Sequence, residues 1–204
     1  MTGERMKKNC RSILIAFGTA ALFCMPVTAP AQDLKQSIYQ VGTLKPVDSV
    51  LKVRVGERAP DFTLRAVSGG TVSLKDYAGK KNVMISFVPA AWTPVCSDQW
   101  PGYNIVQEEF ERLNTVLIGI SVDNVPTLHA WTRAMGSLWF PVLSDFWPHG
   151  KVADTYGVLR SDGTSERAIF IIDTQGIIRS IDVHDINARP PLEDIIGELE
   201  KLNK

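Results

Sequence analysis

One cysteine stands where its chemistry would be used. Cys96 closes the segment Val88-Pro89-Ala90-Ala91-Trp92-Thr93-Pro94-Val95-Cys96. That segment follows Asn82 to Val88 (NVMISFV), a short apolar run rich in β-branched residues that reads as a buried strand. A helix is expected next, which puts Cys96 in its first turn. There the unbonded N–H groups and the helix dipole favour a negative sulfur. Loops that lead from a strand into a helix are where α/β folds place chemistry. The thiolate, not the thiol, is the nucleophile. A thiol of pKa about 8.5 is only about 3% ionised at pH 7, and one of pKa about 6 is roughly 90% ionised. A helix terminus alone is too weak for such a change, so a nearby cation is expected as well.

Other chemistry-bearing residues are scattered. His129, His149 and His184 are spread along the chain without metal-type spacing. His184 beside Asp182 and Asp185 reads as polar strand-end chemistry. No metal site and no cofactor is expected. Trp131, Trp139, Phe140, Phe146 and Trp147 read as core or interface aromatics.

The elements that would carry Cys96 follow from the periodicity. Phe62 to Leu64 and Thr71 to Leu74 flank Ser68-Gly69-Gly70 and predict a small hairpin. Strands are predicted at Asn82 to Val88 and Thr115 to Val122, then as a pair at Ala168 to Asp173 and Gly176 to Val183. Tyr103, Val106, Phe110 and Leu113 recur at helical spacing. Further helices are predicted over Pro126 to Met135, His149 to Tyr156 and Pro191 to Leu202. The order suggests an α/β domain with a mixed central sheet flanked by helices, and the thioredoxin-like fold matches it best. Pro101-Gly102 falls just after the first turn of the Cys96 helix and is expected to kink or break it.

The chain of 204 residues has the length of one domain with additions, and its 22 basic and 22 acidic side chains cancel. Nothing in that balance favours nucleic acid as a partner. Residues 1–31 differ from the rest: Arg5, Lys7, Lys8 and Arg11, an uncharged run from Ser12 to Met25, and an Ala29-Pro30-Ala31 exit. These are the parts of a signal peptide, with an apolar run too short to span a bilayer as a helix. Export, with a periplasmic destination, is the expectation, and an uncleaved anchor is the alternative. Losing four of 22 basic and one of 22 acidic residues would leave 18 and 21, a formal charge of −3. Cys10 and Cys24 would leave with the leader, so Cys96 would be the only thiol of the mature protein. Residues 32–53 read as an N-terminal extension or linker, and the domain runs over 54–204.

Here the chain resembles a known family. Pro89-x3-Thr93-x2-Cys96 is similar to the active-site motif of the peroxiredoxins, the alkyl hydroperoxide reductase/thiol-specific antioxidant family. Val55 to Phe62 resembles the family's opening segment, and Ser144 to Gly150 with Tyr156-Gly157-Val158 resembles a later stretch. Arg167 to Asp173 looks like the strand that carries the family's arginine. The resemblance implies a peroxidatic role for Cys96, whose sulfur would attack a peroxide oxygen and become sulfenic acid. It implies that Arg167 stabilises the thiolate and holds the peroxide, that the Thr93 hydroxyl bonds the peroxide, and that Pro89 shields the sulfur. Backbone N–H groups at Val95 and Cys96 would help hold developing charge, and Gln99 would orient Arg167. No resolving cysteine accompanies Cys96, so the one-cysteine type is implied, with an external thiol or a thioredoxin-like protein as reductant. The family also makes a homodimer an expected assembly.

Three rival functions fit the same fold. A thiol–disulfide oxidoreductase would want a second cysteine in C-x-x-C, and Gln99 occupies that position; a copper-delivery protein would want one where Trp100 stands. A redox-sensing binding module would use Cys96 only to record oxidation.

Overall fold

The computed structural model describes residues 34–202. Its centre is β3 (Asn82–Phe87), buried along its whole length. β3 pairs in parallel with β4 (Thr115–Ser121) on one side and antiparallel with β6 (Arg167–Ile172) on the other. β3 and β6 are apolar almost throughout because both faces are covered, which is the pattern of a central strand. The remaining strands are β1 (Thr63–Ala66), β2 (Thr71–Ser73), β5 (Val142–Ser144) and β7 (Ile178–His184). The order across the sheet is β2-β1-β5-β4-β3-β6-β7. Only the β3–β4 and β4–β5 pairings are parallel, so the sheet is mixed.

Side-chain alternation splits the core in two. Val83, Ile85 and Phe87 face one side with Ile118, Ile120 and Phe170, against Tyr156 of α5 (Lys151–Tyr156). Met84, Leu117, Ile169 and Ile171 face the other. That second layer is closed by Trp100 of α2 (Pro94–Gly102), Phe110 of α3 (Gln107–Arg112), Trp131 of α4 (Val125–Met135) and Leu199 of α6 (Leu192–Lys201).

Two local details differ from the sequence expectation, and a third, the early end of the Cys96 helix, agrees with it. β5 was not foreseen: it has three residues behind Pro141, too short for a period to register, yet it sits between β1 and β4. The predicted stripe from Tyr103 to Leu113 is two pieces, a 3₁₀ turn over Tyr103–Val106 and then α3. α2 carries Pro101 inside it and ends one residue later. Pro101 has no N–H to bond the carbonyl four residues back, and the Tyr103 N–H closes a tighter bond to the Trp100 carbonyl.

After a single helical turn, α1 (Leu34–Ser37), residues 39–53 carry no regular element and run along the domain as a strap. The Tyr39 N–H donates to the Trp92 carbonyl at 2.8 Å. Leu44 exchanges two bonds with the Asn187 side chain, at 2.8 and 2.9 Å. The Asp48 N–H donates to Glu166 Oε1, and the Lys52 N–H to the Tyr156 carbonyl. Gly157 lies under the strap with φ +76°, and a Cβ there would meet the Lys52 nitrogen at 2.3 Å and the Val50 oxygen at 2.4 Å. Only glycine supports both the conformation and the close crossing. The expected leader, residues 1–31, lies outside the described residues.

Candidate active site

Pro94 opens α2 at its first position, where its missing N–H costs nothing. Thr93, in extended conformation, is the cap residue. The first bond of the helical ladder runs from the Ser97 N–H to the Thr93 carbonyl at 3.0 Å. The N–H groups of Val95 and Cys96 therefore precede the ladder and have no partner within the helix. Thr93 does not cap with its side chain; its hydroxyl donates to the Ala90 carbonyl at 2.9 Å.

Cys96 is the only cysteine among the described residues and is 1% exposed. Arg167, the first residue of β6, comes to it across the antiparallel β3–β6 pairing. Its Nη2 donates to Cys96 Sγ at 3.5 Å and to the Ile186 carbonyl at 3.0 Å. Its Nε donates to the same carbonyl at 3.3 Å, and its Nη1 donates to Gln99 Oε1. The guanidinium is buried, and among the described residues no carboxylate lies within ion-pair distance of it. Asp185, whose carboxyl hydrogen bonds from Asn187 hold below the usual range, feels the Arg167 charge only at longer range. A buried cation without a counter-ion is costly, and an anionic Cys96 sulfur removes that cost.

Behind the arginine lies a polar cluster. Gln99 Nε2 donates to the Tyr103 hydroxyl at 2.8 Å and towards Ser86 Oγ at 3.4 Å. Ser86 Oγ lies 3.2 Å from the Tyr103 hydroxyl and 3.4 Å from the Trp100 indole nitrogen. Burial pushes the Tyr103 phenol above its ordinary range, against the opposing effect of its bonds to Ser86 and Gln99. It stays neutral at physiological pH, and the charged side chain bonded to this cluster is Arg167, through Gln99.

The residues proposed from sequence are thus gathered at one place. Pro89, Thr93, Val95, Cys96 and Arg167 all line one pocket of about 480 Å³. Gln99 lies behind it on Arg167. Sequence reasoning missed four contributors. Ile186 acts through its carbonyl, which leaves no side-chain signal. Ser86 and Tyr103 read as strand and helix residues. The strap residues Tyr39 to Leu44, which wall the outer pocket, lie in a stretch with no pattern. A wider hollow of about 790 Å³ near Val67, His129 and Trp139 contains no thiol. His184 pairs with Asp182 at 3.2 Å, and no group of three or more metal-ligating side chains is found among the described residues.

Known proteins resemble this chain over the same region. A sequence model of the AhpC/TSA family matches residues 55–181. Alkyl hydroperoxide reductase E of Mycobacterium tuberculosis is 41% identical over 128 residues, covering 62% of this chain and 83% of the relative. A chloroplastic 2-cysteine peroxiredoxin of Chattonella marina var. antiqua is 34% identical over 161 residues, covering 74% and 82%. Among solved structures, reduced Plasmodium vivax 2-Cys peroxiredoxin superposes with a TM-score of 0.71 at 29% identity, covering 74% of this chain and 82% of that one.

Proposed function

Because this chain belongs to the AhpC/TSA family, we infer that it is a thiol-dependent peroxidase whose working atom is Cys96 Sγ. One observation carries the assignment of the atom: the buried Arg167 guanidinium pairs with no carboxylate among the described residues and donates to that sulfur. The thiolate attacks the terminal oxygen of a hydroperoxide. An S–O bond forms, the O–O bond breaks, and the departing alkoxide or hydroxide takes a proton to leave as alcohol or water. The sulfur is oxidised to sulfenic acid and the peroxide is reduced.

The neighbours divide the remaining work. Arg167 Nη2 serves the sulfur and the developing charge on the peroxide. A threonine hydroxyl has one proton, and that of Thr93 goes to Ala90, so towards the peroxide Thr93 acts as acceptor. The Val95 and Cys96 N–H groups supply fixed donors that need no reorganisation. Pro89 keeps bulk water from the sulfur. Gln99 holds Arg167 from behind.

Recycling uses an external thiol. A donor thiol condenses with the sulfenic acid to give a mixed disulfide and water, and a second thiol then releases Cys96 as a new disulfide forms. Family members use thioredoxin-like reductants, and we place one in that role here. Removal of residues 1–31 on export to the periplasm would make this a one-cysteine enzyme; N-terminal sequencing of the periplasmic form should then begin at Gln32. A homodimer is the assembly we favour, to be checked by sedimentation.

The decisive experiment mixes reduced protein with hydrogen peroxide and follows sulfenic acid by mass and by tryptophan fluorescence. Rapid stoichiometric oxidation, absent in Cys96→Ser and at least about 100-fold slower in Arg167→Ala, is expected. Oxidation no faster than that of free cysteine would sink the catalytic reading.

A further inference from the structure

We propose that strap residues 39–44 form a binding wall for the substituent of the peroxide, so that the site prefers organic hydroperoxides carrying an extended apolar group. This rests on the peroxidase reading above. The strap precedes the region matched by the family, which begins at residue 55. It lies outside the stretch that the family model describes.

Three observations point to an apolar tail. The first is size. The pocket that starts at Cys96 holds about 480 Å³, within the range of sites for drug-sized molecules and far more than a hydroperoxyl group fills. The second is chemistry. The strap segment is Tyr-Gln-Val-Gly-Thr-Leu, with no charged side chain, and it faces Ala90, Pro94 and Ile186 across the pocket. Arg167 lies by the sulfur, and Asp162 supplies the other charged side chain of the lining. Tyr39 is 72% exposed and Val41 38%, so apolar surface stands open to solvent beside the site. The third is rigidity. The strap is tied at Tyr39 to the Trp92 carbonyl and at Leu44 to both ends of the Asn187 amide. A wall held at two points can contribute contact without first being ordered, which is the cost that usually erodes such binding.

The oxidation step is unchanged: S–O forms, O–O breaks, and the alkoxide leaves with a proton as the alcohol. The tail contacts add binding that hydrogen peroxide cannot use. The test is single-turnover oxidation of Cys96 by linoleic acid hydroperoxide and by hydrogen peroxide, in the full chain and in Tyr39→Ser/Leu44→Ser. Both tethers use backbone groups of these residues, so the substitutions keep them. The ratio of the two rate constants is expected to fall about tenfold in the variant. The product-like hydroxy acid should also compete with hydrogen peroxide in the parent chain and lose that competition in the variant. A ratio unchanged within about twofold, or no competition in the parent chain, overturns the proposal. Failure of the peroxidase reading is seen separately, as slow oxidation of the unaltered protein by hydrogen peroxide.

Discussion

Gln99 sits where a thiol–disulfide enzyme would carry its second cysteine, and its amide is fully engaged: the oxygen accepts from Arg167, and the nitrogen donates to Tyr103 and towards Ser86. Its neutrality matters as much as its reach. Gln99→Glu would keep the shape but set a carboxylate against Arg167, offering the guanidinium a counter-ion other than sulfur. We expect about tenfold slower oxidation by hydrogen peroxide in that variant; equal rates would remove Gln99 from the positioning role. Cys96 was legible from its type and its place before a helix, while Thr93 and Arg167 were legible through the resemblance. Gln99 was legible in the same way. Ile186 was not legible at all, because a carbonyl is the same in every residue. Nothing in the local sequence says that the residue 19 positions beyond Arg167 will supply its acceptor.

Elements were readable where they were long or periodic. β3, β4 and β6 are apolar runs between breakers, and each was located within about a residue or two. β5 and the 3₁₀ turn after α2 depend on what packs beside them rather than on their own pattern. The strap is the extreme case, since its course is set by anchors more than a hundred residues away. Gly157 tests that dependence. In Gly157→Ala the new Cβ would press on the strap backbone at Lys52 and Val50, and the left-handed φ would be strained in addition. A loss of about 1–3 kcal/mol is expected in urea unfolding, together with faster amide exchange across residues 44–52. A stability loss without faster exchange there would mean that the strap does not depend on the crossing.

Across the whole molecule, three carboxylates secure the strap or its anchor. Asp48 is held well below its usual range, first by the Lys45 ammonium and then by the Ser161 hydroxyl and N–H. Asp154 is lowered first by Lys52, and Asp185 by the Asn187 bonds. A carboxyl whose folded pKa is depressed contributes stability above its unfolded value, about 4, and loses it as pH falls through the folded value. The strap should therefore stay docked from about pH 8 down to about pH 4 and loosen below that. Pepsin digestion across a pH series, scaled to an unfolded reference, should show cleavage within 39–53 appearing only below about pH 4; uniform cleavage at higher pH would contradict the tethering. The same anchoring has a consequence for how the protein is made. Ribosomes deliver the strap first, Cys96 midway, and Arg167 with Asn187 near the end. The tether between Leu44 and Asn187 spans 143 positions, and Arg167 follows Cys96 by 71. A nascent or truncated chain thus holds the sulfur without its guanidinium and without a closed pocket. Reactivity towards peroxide becomes a property of completed synthesis, which keeps the sulfur out of oxidative chemistry while the chain is still being built.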